Sequence, residues 1–143
     1  SNLLVHSVKH VLDLPKQYSH IMTIGNSMRF APDVLDFFYT SAPLLEVDKS
    51  LWCVSAFNEN GLSHFHWDEW RLLRDSFFSG VMSMMSRGVW TEVMEQWEQA
   101  GSMEVLEEWM NTQEIRRDRD CAIPEVSRAK RLHSSPEVHD PFS

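Results

Sequence analysis

The sequence predicts an α/β domain with a mostly parallel or mixed sheet. Short apolar runs of strand character, at 20–24, 52–57, 81–85 and 121–127, alternate with stretches whose apolar residues recur at helical spacing. With 143 residues, 43% of them hydrophobic and 24% charged, the chain has enough apolar material for one core.

Each element follows from local residue chemistry. In 3–14, Leu4, Val5, Val8, Val11 and Leu12 lie close to a 3.6-residue period, which predicts an amphipathic helix stopped by Pro15. The strand over 20–24 is broken by Gly25-Asn26-Ser27. Pro32 marks a helix start leading into Val34-Leu35-Asp36-Phe37-Phe38-Tyr39, and Pro43 and Asp48 bound the loop that follows. The second strand, 52–57, runs into Asn58-Glu59-Asn60-Gly61, where Asn-Gly tolerates the positive φ angles of a tight turn. Residues 64–79 read as mixed loop with Leu72-Leu73-Arg74 extended, and 81–85 as a buried strand. Ser86 caps a helix through Trp97 that Ala100-Gly101 ends. A further helix spans 103–112, with Val105, Leu106, Trp109 and Met110 on one face. The last strand, 121–127, leads to a loop-like tail from His133 to Ser143.

Charge narrows the function. A net charge of −8 argues against a nucleic-acid surface, which needs clustered Lys and Arg. The basic residues are nevertheless uneven: Arg116, Arg117, Arg119, Arg128, Lys130 and Arg131 are six of thirteen, a pattern that suits either a solvated face or a phosphate-bearing ligand. No window approaches the roughly 18 consecutive apolar residues of a membrane span, and no signal-peptide pattern opens the chain.

Several residue groups invite chemistry and have plainer readings beside it. Cys53 and Cys121 are either separate buried thiols or a pair. His64 and His66, with Asp68 and Glu69, have the ligand types for Zn²⁺ at a spacing that seven histidines produce by chance. Glu107 and Glu108 beside Trp109 are the solvated side of an amphipathic helix or a catalytic carboxylate and its neighbour. Gly25-Asn26 is a turn at a strand end or part of a ligand loop.

Three segments together carry a resemblance. Leu51-Trp52-Cys53-Val54-Ser55-Ala56-Phe57-Asn58-Glu59-Asn60-Gly61, Glu108-Trp109-Met110 and Cys121-Ala122-Ile123-Pro124-Glu125-Val126-Ser127-Arg128 resemble the inverting glycosyltransferases of family 13, the N-acetylglucosaminyltransferase I family. The likeness is firm from about Ala31 to Arg128. It implies that 1–132 is a partial catalytic domain, the later part of a glycosyltransferase A-type, Rossmann-like fold, with 133–143 a tail. It further implies transfer of GlcNAc from UDP-GlcNAc to the 2-hydroxyl of a mannose on a glycoprotein, with Mn²⁺ bridging the donor diphosphate. The compartment implied is the Golgi lumen, on an N-terminal membrane anchor that this chain does not include. A truncated, inactive relative that binds glycans or a partner enzyme is the alternative.

The resemblance also assigns residues. Cys53 and Cys121 fall where the family forms a disulfide, which would close a loop worth roughly 4 kcal/mol in the chain-entropy picture. Glu107 takes the position of the catalytic base, and Asn26 and Leu106 take donor-binding positions. The family's strand ends in Glu-Asp-Asp before Ala-Pro-Asp; aligned on Ala31-Pro32-Asp33, those acids are replaced by Gly25, Asn26 and Ser27, with Ser27 at the metal position. Asn26 keeps hydrogen-bonding capacity towards hydroxyls, whereas Ser27 is a poor hard-cation ligand. The segment beneath the donor sugar, Pro-Gly-(Leu/Met)-Gly-Trp in the family, reads Ser79-Gly80-Val81-Met82-Ser83. Arg74, Phe77, Phe78, Ser127 and Arg128 match.

Overall fold

The computed structural model describes residues 2–58, 70–100 and 105–132. The element order is α1 (Asn2–Leu12), β1 (His20–Ile24), β2 (Met28–Phe30), α2 (Val34–Ser41), α3 (Leu44–Val47), β3 (Leu51–Ser55) and β4 (Leu72–Asp75). There follow β5 (Met82–Ser86), α4 (Arg87–Ala100), α5 (Leu106–Met110), α6 (Gln113–Arg116), β6 (Asp120–Pro124) and β7 (Ala129–Arg131). Five strands form a sheet in the order β1-β5-β3-β6-β4, and β2 pairs with β7 in a separate two-stranded ribbon.

The α/β class and the mixed sheet hold, but the sheet is mostly antiparallel. Among the described residues only β3 and β6 run parallel; β1 with β5, β3 with β5, and β4 with β6 are antiparallel. A parallel pair requires a long crossover, and here the chain between β3 and β6 supplies two further strands and three helices.

Alternation along the strands divides the apolar residues between two faces. Met85, Ile21 and Trp52 pack with Val5 and Val8 of α1, Trp90 and Val93 of α4, and Leu106 of α5. Met82, Met84 and Val54 pack on the other face with Val34 and Phe38 of α2 and Leu45 of α3. A register shift between Leu51 and Cys53 against β6 explains why consecutive Trp52 and Cys53 enter the same cluster. Trp90 is fully buried, and its indole N–H donates to Ile21 O at 3.1 Å, fixing α4 over β1.

The element ends show where local signals were overruled. The first helix stops at Leu12 rather than Leu14, and the loop expected between Pro43 and Asp48 holds the single turn α3. In place of one helix over 103–112, α5 ends with Asn111 as its C-cap and Thr112 leads into α6; residues 101–104 lie outside the described residues. The last strand ends at Pro124, three residues short of expectation, because the chain turns there to start β7. Ser86 does cap α4, its Oγ accepting the Val89 N–H at 3.3 Å.

Candidate functional site

Glu107 sits in the first turn of α5, half-buried, and its Oε2 accepts the Gly80 N–H at 3.0 Å. The approach is close: a Cβ at residue 80 would lie 3.0 Å from that same oxygen, so the carboxylate would have to shift by a few tenths of an ångström to admit one. Asn111, one turn along, clamps the helix to the same loop. Its Oδ1 accepts the Phe78 N–H at 2.7 Å, while its Nδ2 donates to Phe78 O at 2.9 Å and to Glu107 O at 2.8 Å. Phe78 is buried edge-on against Trp52, which anchors the loop in the core.

Glu107 lines a cavity of about 280 Å³ with Ser55, Phe57, Asn58, Asp75, Phe77, Ser79, Ile123 and Arg131. These residues come from the ends of β3, β4 and β6, from the loop before β5, and from β7. Two carboxylates and one guanidinium share the lining. Asp75 is held by the Phe77 N–H at 3.0 Å, and Arg131 lies with its guanidinium carbon 5.4 Å from the centre of the Phe57 ring.

The closing Ser-Arg pair is tied into this framework at two points. Asn58 donates its N–H to Ser127 Oγ at 3.0 Å and its side-chain amide to Pro124 O at 3.0 Å, joining the end of β3 to the end of β6. Arg128, 5% exposed, donates its N–H to Ala56 O at 2.8 Å and pairs through Nε with Asp33 Oδ2 at 3.3 Å. The Ala31 N–H returns to Arg128 O at 2.9 Å, so the Ala31-Pro32-Asp33 and Ser127-Arg128 segments meet in space.

Cys53 and Cys121 form the disulfide that the resemblance implies, between directly opposed residues of the parallel strands β3 and β6, with Cα atoms 4.6 Å apart. Arg74 is occupied by structure: it donates to Asp48 at 2.7 Å and to Asp120 at 3.2 Å, spanning the turn before β3 and the start of β6. Ser50 donates both its hydroxyl, at 2.6 Å, and its N–H, at 3.0 Å, to Asp48 Oδ1. These Ser50 bonds first, and Arg74 after them, hold the Asp48 carboxyl below its ordinary value.

The loop 25–27 does not fit a hard divalent cation. Gly25 N–H bonds Val81 O, Ser27 is in the left-handed region at φ 57°, and Ser27 O accepts the Leu132 N–H at 2.7 Å. The loop offers neutral side-chain oxygens only, whereas Mn²⁺-like cations are held by carboxylates. The neighbouring Asp33 is engaged with Arg128, and among the described residues no group of three or more His, Cys, Asp or Glu side chains is placed to hold a metal. His64, His66, Asp68 and Glu69 lie outside the described residues, as do 59–61 of the expected turn and the tail 133–143.

The residues singled out from the sequence are thus only partly gathered. Glu107 lines the 280 Å³ cavity. Asn26 is exposed and lines a different depression of about 440 Å³, between α1 and β1, whose rim includes Gly80. Leu106 is 1% exposed, with its side chain in the core on the apolar face of α5. Sequence reasoning missed Asn111 and Asp75, and named Arg131 only as one of six clustered basic residues. Asn111 directly follows the Glu-Trp-Met match, and a polar residue at a helix C-cap was the available signal.

Comparison with known proteins places these features in a lineage. The family model described as "GNT-I family" matches residues 6–137. A curated protein of Arabidopsis thaliana named alpha-1,3-mannosyl-glycoprotein 2-beta-N-acetylglucosaminyltransferase is 31% identical over 112 residues. That alignment covers 78% of this chain and 24% of the relative, so the chain spans about a quarter of the length of the curated relative it matches.

Proposed function

The chain belongs to the GNT-I family, and from that premise we propose that it carries the acceptor-side machinery of an inverting N-acetylglucosaminyltransferase, with Glu107 as general base. The donor is UDP-GlcNAc and the acceptor the 2-hydroxyl of a mannose on a glycoprotein, in the Golgi lumen. One observation carries the reading. Glu107 reaches a cavity with one carboxylate oxygen fixed by Gly80, while its Oε1 has no protein hydrogen bond among the described residues.

In that geometry the acceptor hydroxyl gives its proton to Glu107 as its oxygen attacks the anomeric carbon. The new C–O bond forms on the face opposite the leaving group, the bond from that carbon to the β-phosphate oxygen breaks, and UDP departs with the electron pair. The configuration inverts in one displacement. Holding Oε2 on a backbone N–H fixes the base's orientation before substrate arrives. A buried disulfide between β3 and β6 suits an oxidising lumen.

The second reading is a non-catalytic relative that binds glycans or a partner enzyme. The absence of any carboxylate in Gly25-Asn26-Ser27 favours it, because the family's metal chemistry has no ligand there. Incubation with UDP-GlcNAc and a mannose-terminated glycopeptide, read by mass spectrometry, separates the two. Gain of one N-acetylhexosamine, reduced about 10²- to 10⁴-fold in Glu107→Gln, supports the transferase. Binding of the glycopeptide with no transfer supports the second reading.

A further inference from the structure

A departing diphosphate concentrates negative charge, and loop 25–27 has no carboxylate through which a divalent cation could meet it. The ribbon beside that loop supplies cations instead. Met28 faces Arg131 and Arg29 faces Lys130 across β2 and β7, and the Leu132 N–H to Ser27 O bond fastens β7 alongside the loop. Of these three basic residues, Arg131 lines the cavity that holds Glu107.

Within that lining Arg131 is the group suited to an anion. The two carboxylates of the lining are each drawn to a backbone N–H, Asp75 to Phe77 and Glu107 to Gly80. Arg131 is the cation of the lining, with its guanidinium carbon 5.4 Å from the centre of the Phe57 ring. The side-chain N–H groups of Arg131 make no hydrogen bond among the described residues, and a guanidinium fork matches two oxygens of a phosphate.

We propose that Arg131 binds the donor diphosphate in place of a divalent cation, so that this chain takes a nucleoside diphosphate without metal. The proposal rests on the donor reading above and adds to it the residue that neutralises the leaving group.

Calorimetric titration of the full chain with UDP, in EDTA and in Mn²⁺, tests it on the wild type, Arg131→Met and Arg131→Lys, each confirmed folded by its thermal transition. Arg131 is exposed near the end of the described chain, so neither change empties the core. The expected result is binding in EDTA that Arg131→Met weakens about 10- to 100-fold and Arg131→Lys weakens less, since lysine keeps the charge and loses the fork. Binding that requires Mn²⁺, or metal-free binding that Arg131→Met leaves unchanged, overturns the role of Arg131 and leaves the donor reading standing. No binding of UDP in either buffer overturns the donor reading and this proposal with it.

Discussion

Asp33 and Arg128, separated by 95 positions, form an ion pair at 3.3 Å that joins the start of α2 to the segment entering β7. Arg128 is buried and also donates to Val126 O and covers the Phe37 ring, whereas the Asp33 side chain is about half exposed. The asymmetry sets the expected outcome. Arg128→Ala should cost about 1–3 kcal/mol, because it removes packing as well as charge, and Asp33→Ala clearly less. Denaturant midpoints of both single variants measure this, and equal losses would show that the pair acts through charge alone.

Gly80→Ala places a methyl group against Glu107 Oε2 and should displace the carboxylate with only a modest loss of stability. Transfer activity should fall by an order of magnitude or more while the thermal midpoint moves by only a few degrees. Glu107→Gln, which keeps the shape, should lose activity with no such shift in midpoint. A fall in activity matched by global unfolding in Gly80→Ala would contradict the positioning role.

The Cys53–Cys121 bridge should contribute roughly 4 kcal/mol, since it closes a loop over 68 positions of separation. Unfolding in denaturant with and without a reductant reads the effect. The wild type should lose stability on reduction, and a Cys53→Ala, Cys121→Ala double variant should be insensitive to reductant. Sensitivity in the double variant would place the redox effect elsewhere.

Restoring acids to the loop is best done at two positions. Aspartate is enriched in the left-handed conformation that Ser27 adopts, and Asn26 is exposed, whereas a side chain at Gly25 would press to 3.2 Å from Val81 O. Asn26→Asp with Ser27→Asp should therefore fold and acquire Mn²⁺ binding in a calorimetric titration, and adding Gly25→Glu should lower stability. A folded double variant that takes no Mn²⁺ would show that the loop geometry, and not only its chemistry, has left the metal behind.

The Asp48 carboxyl is held below its ordinary value by the Ser50 hydroxyl, the Ser50 N–H and Arg74. A carboxyl lowered by folding stabilises the native state above its unfolded value, and that stabilisation is lost as pH falls through the folded value. Ser50→Ala removes the hydroxyl bond, the largest cause, so Asp48 should titrate closer to its ordinary range. Carbon-detected NMR titration of the Asp48 carboxyl checks the direction; an unchanged midpoint would assign the shift to the Ser50 N–H bond and Arg74.

What the sequence made legible was whatever a single local signal decides. Pro15, Pro32 and Ser86 punctuate α1, α2 and α4, and the apolar runs mark β1, β3 and β5 within a residue or two. The three-residue strands β2 and β7 escaped notice because they carry no period and are stabilised by pairing across a hundred positions. The site divided in the same way. Glu107 and the cysteines stood out by type and by family resemblance, but Arg131 enters the cavity only through the ribbon, and Asn111 acts through contacts with Phe78, 33 residues earlier in the chain. The burial of Leu106 was not legible, because a sequence does not reveal which side of a five-residue helix is spent on the core.

The parallel pair of β3 and β6 acts as a welded hinge-plate. Each strand delivers a wall of the cavity at its far end, Ser55, Phe57 and Asn58 from one and Ile123 from the other. With Cys53 fixed to Cys121, neither strand can creep past its neighbour, because a slip of a single residue would reverse every side chain beyond the weld. Any opening or closing around a substrate must therefore fall to the parts mounted on that plate, the short helix bearing Glu107 and the ribbon bearing Arg131, while the plate itself keeps their spacing true.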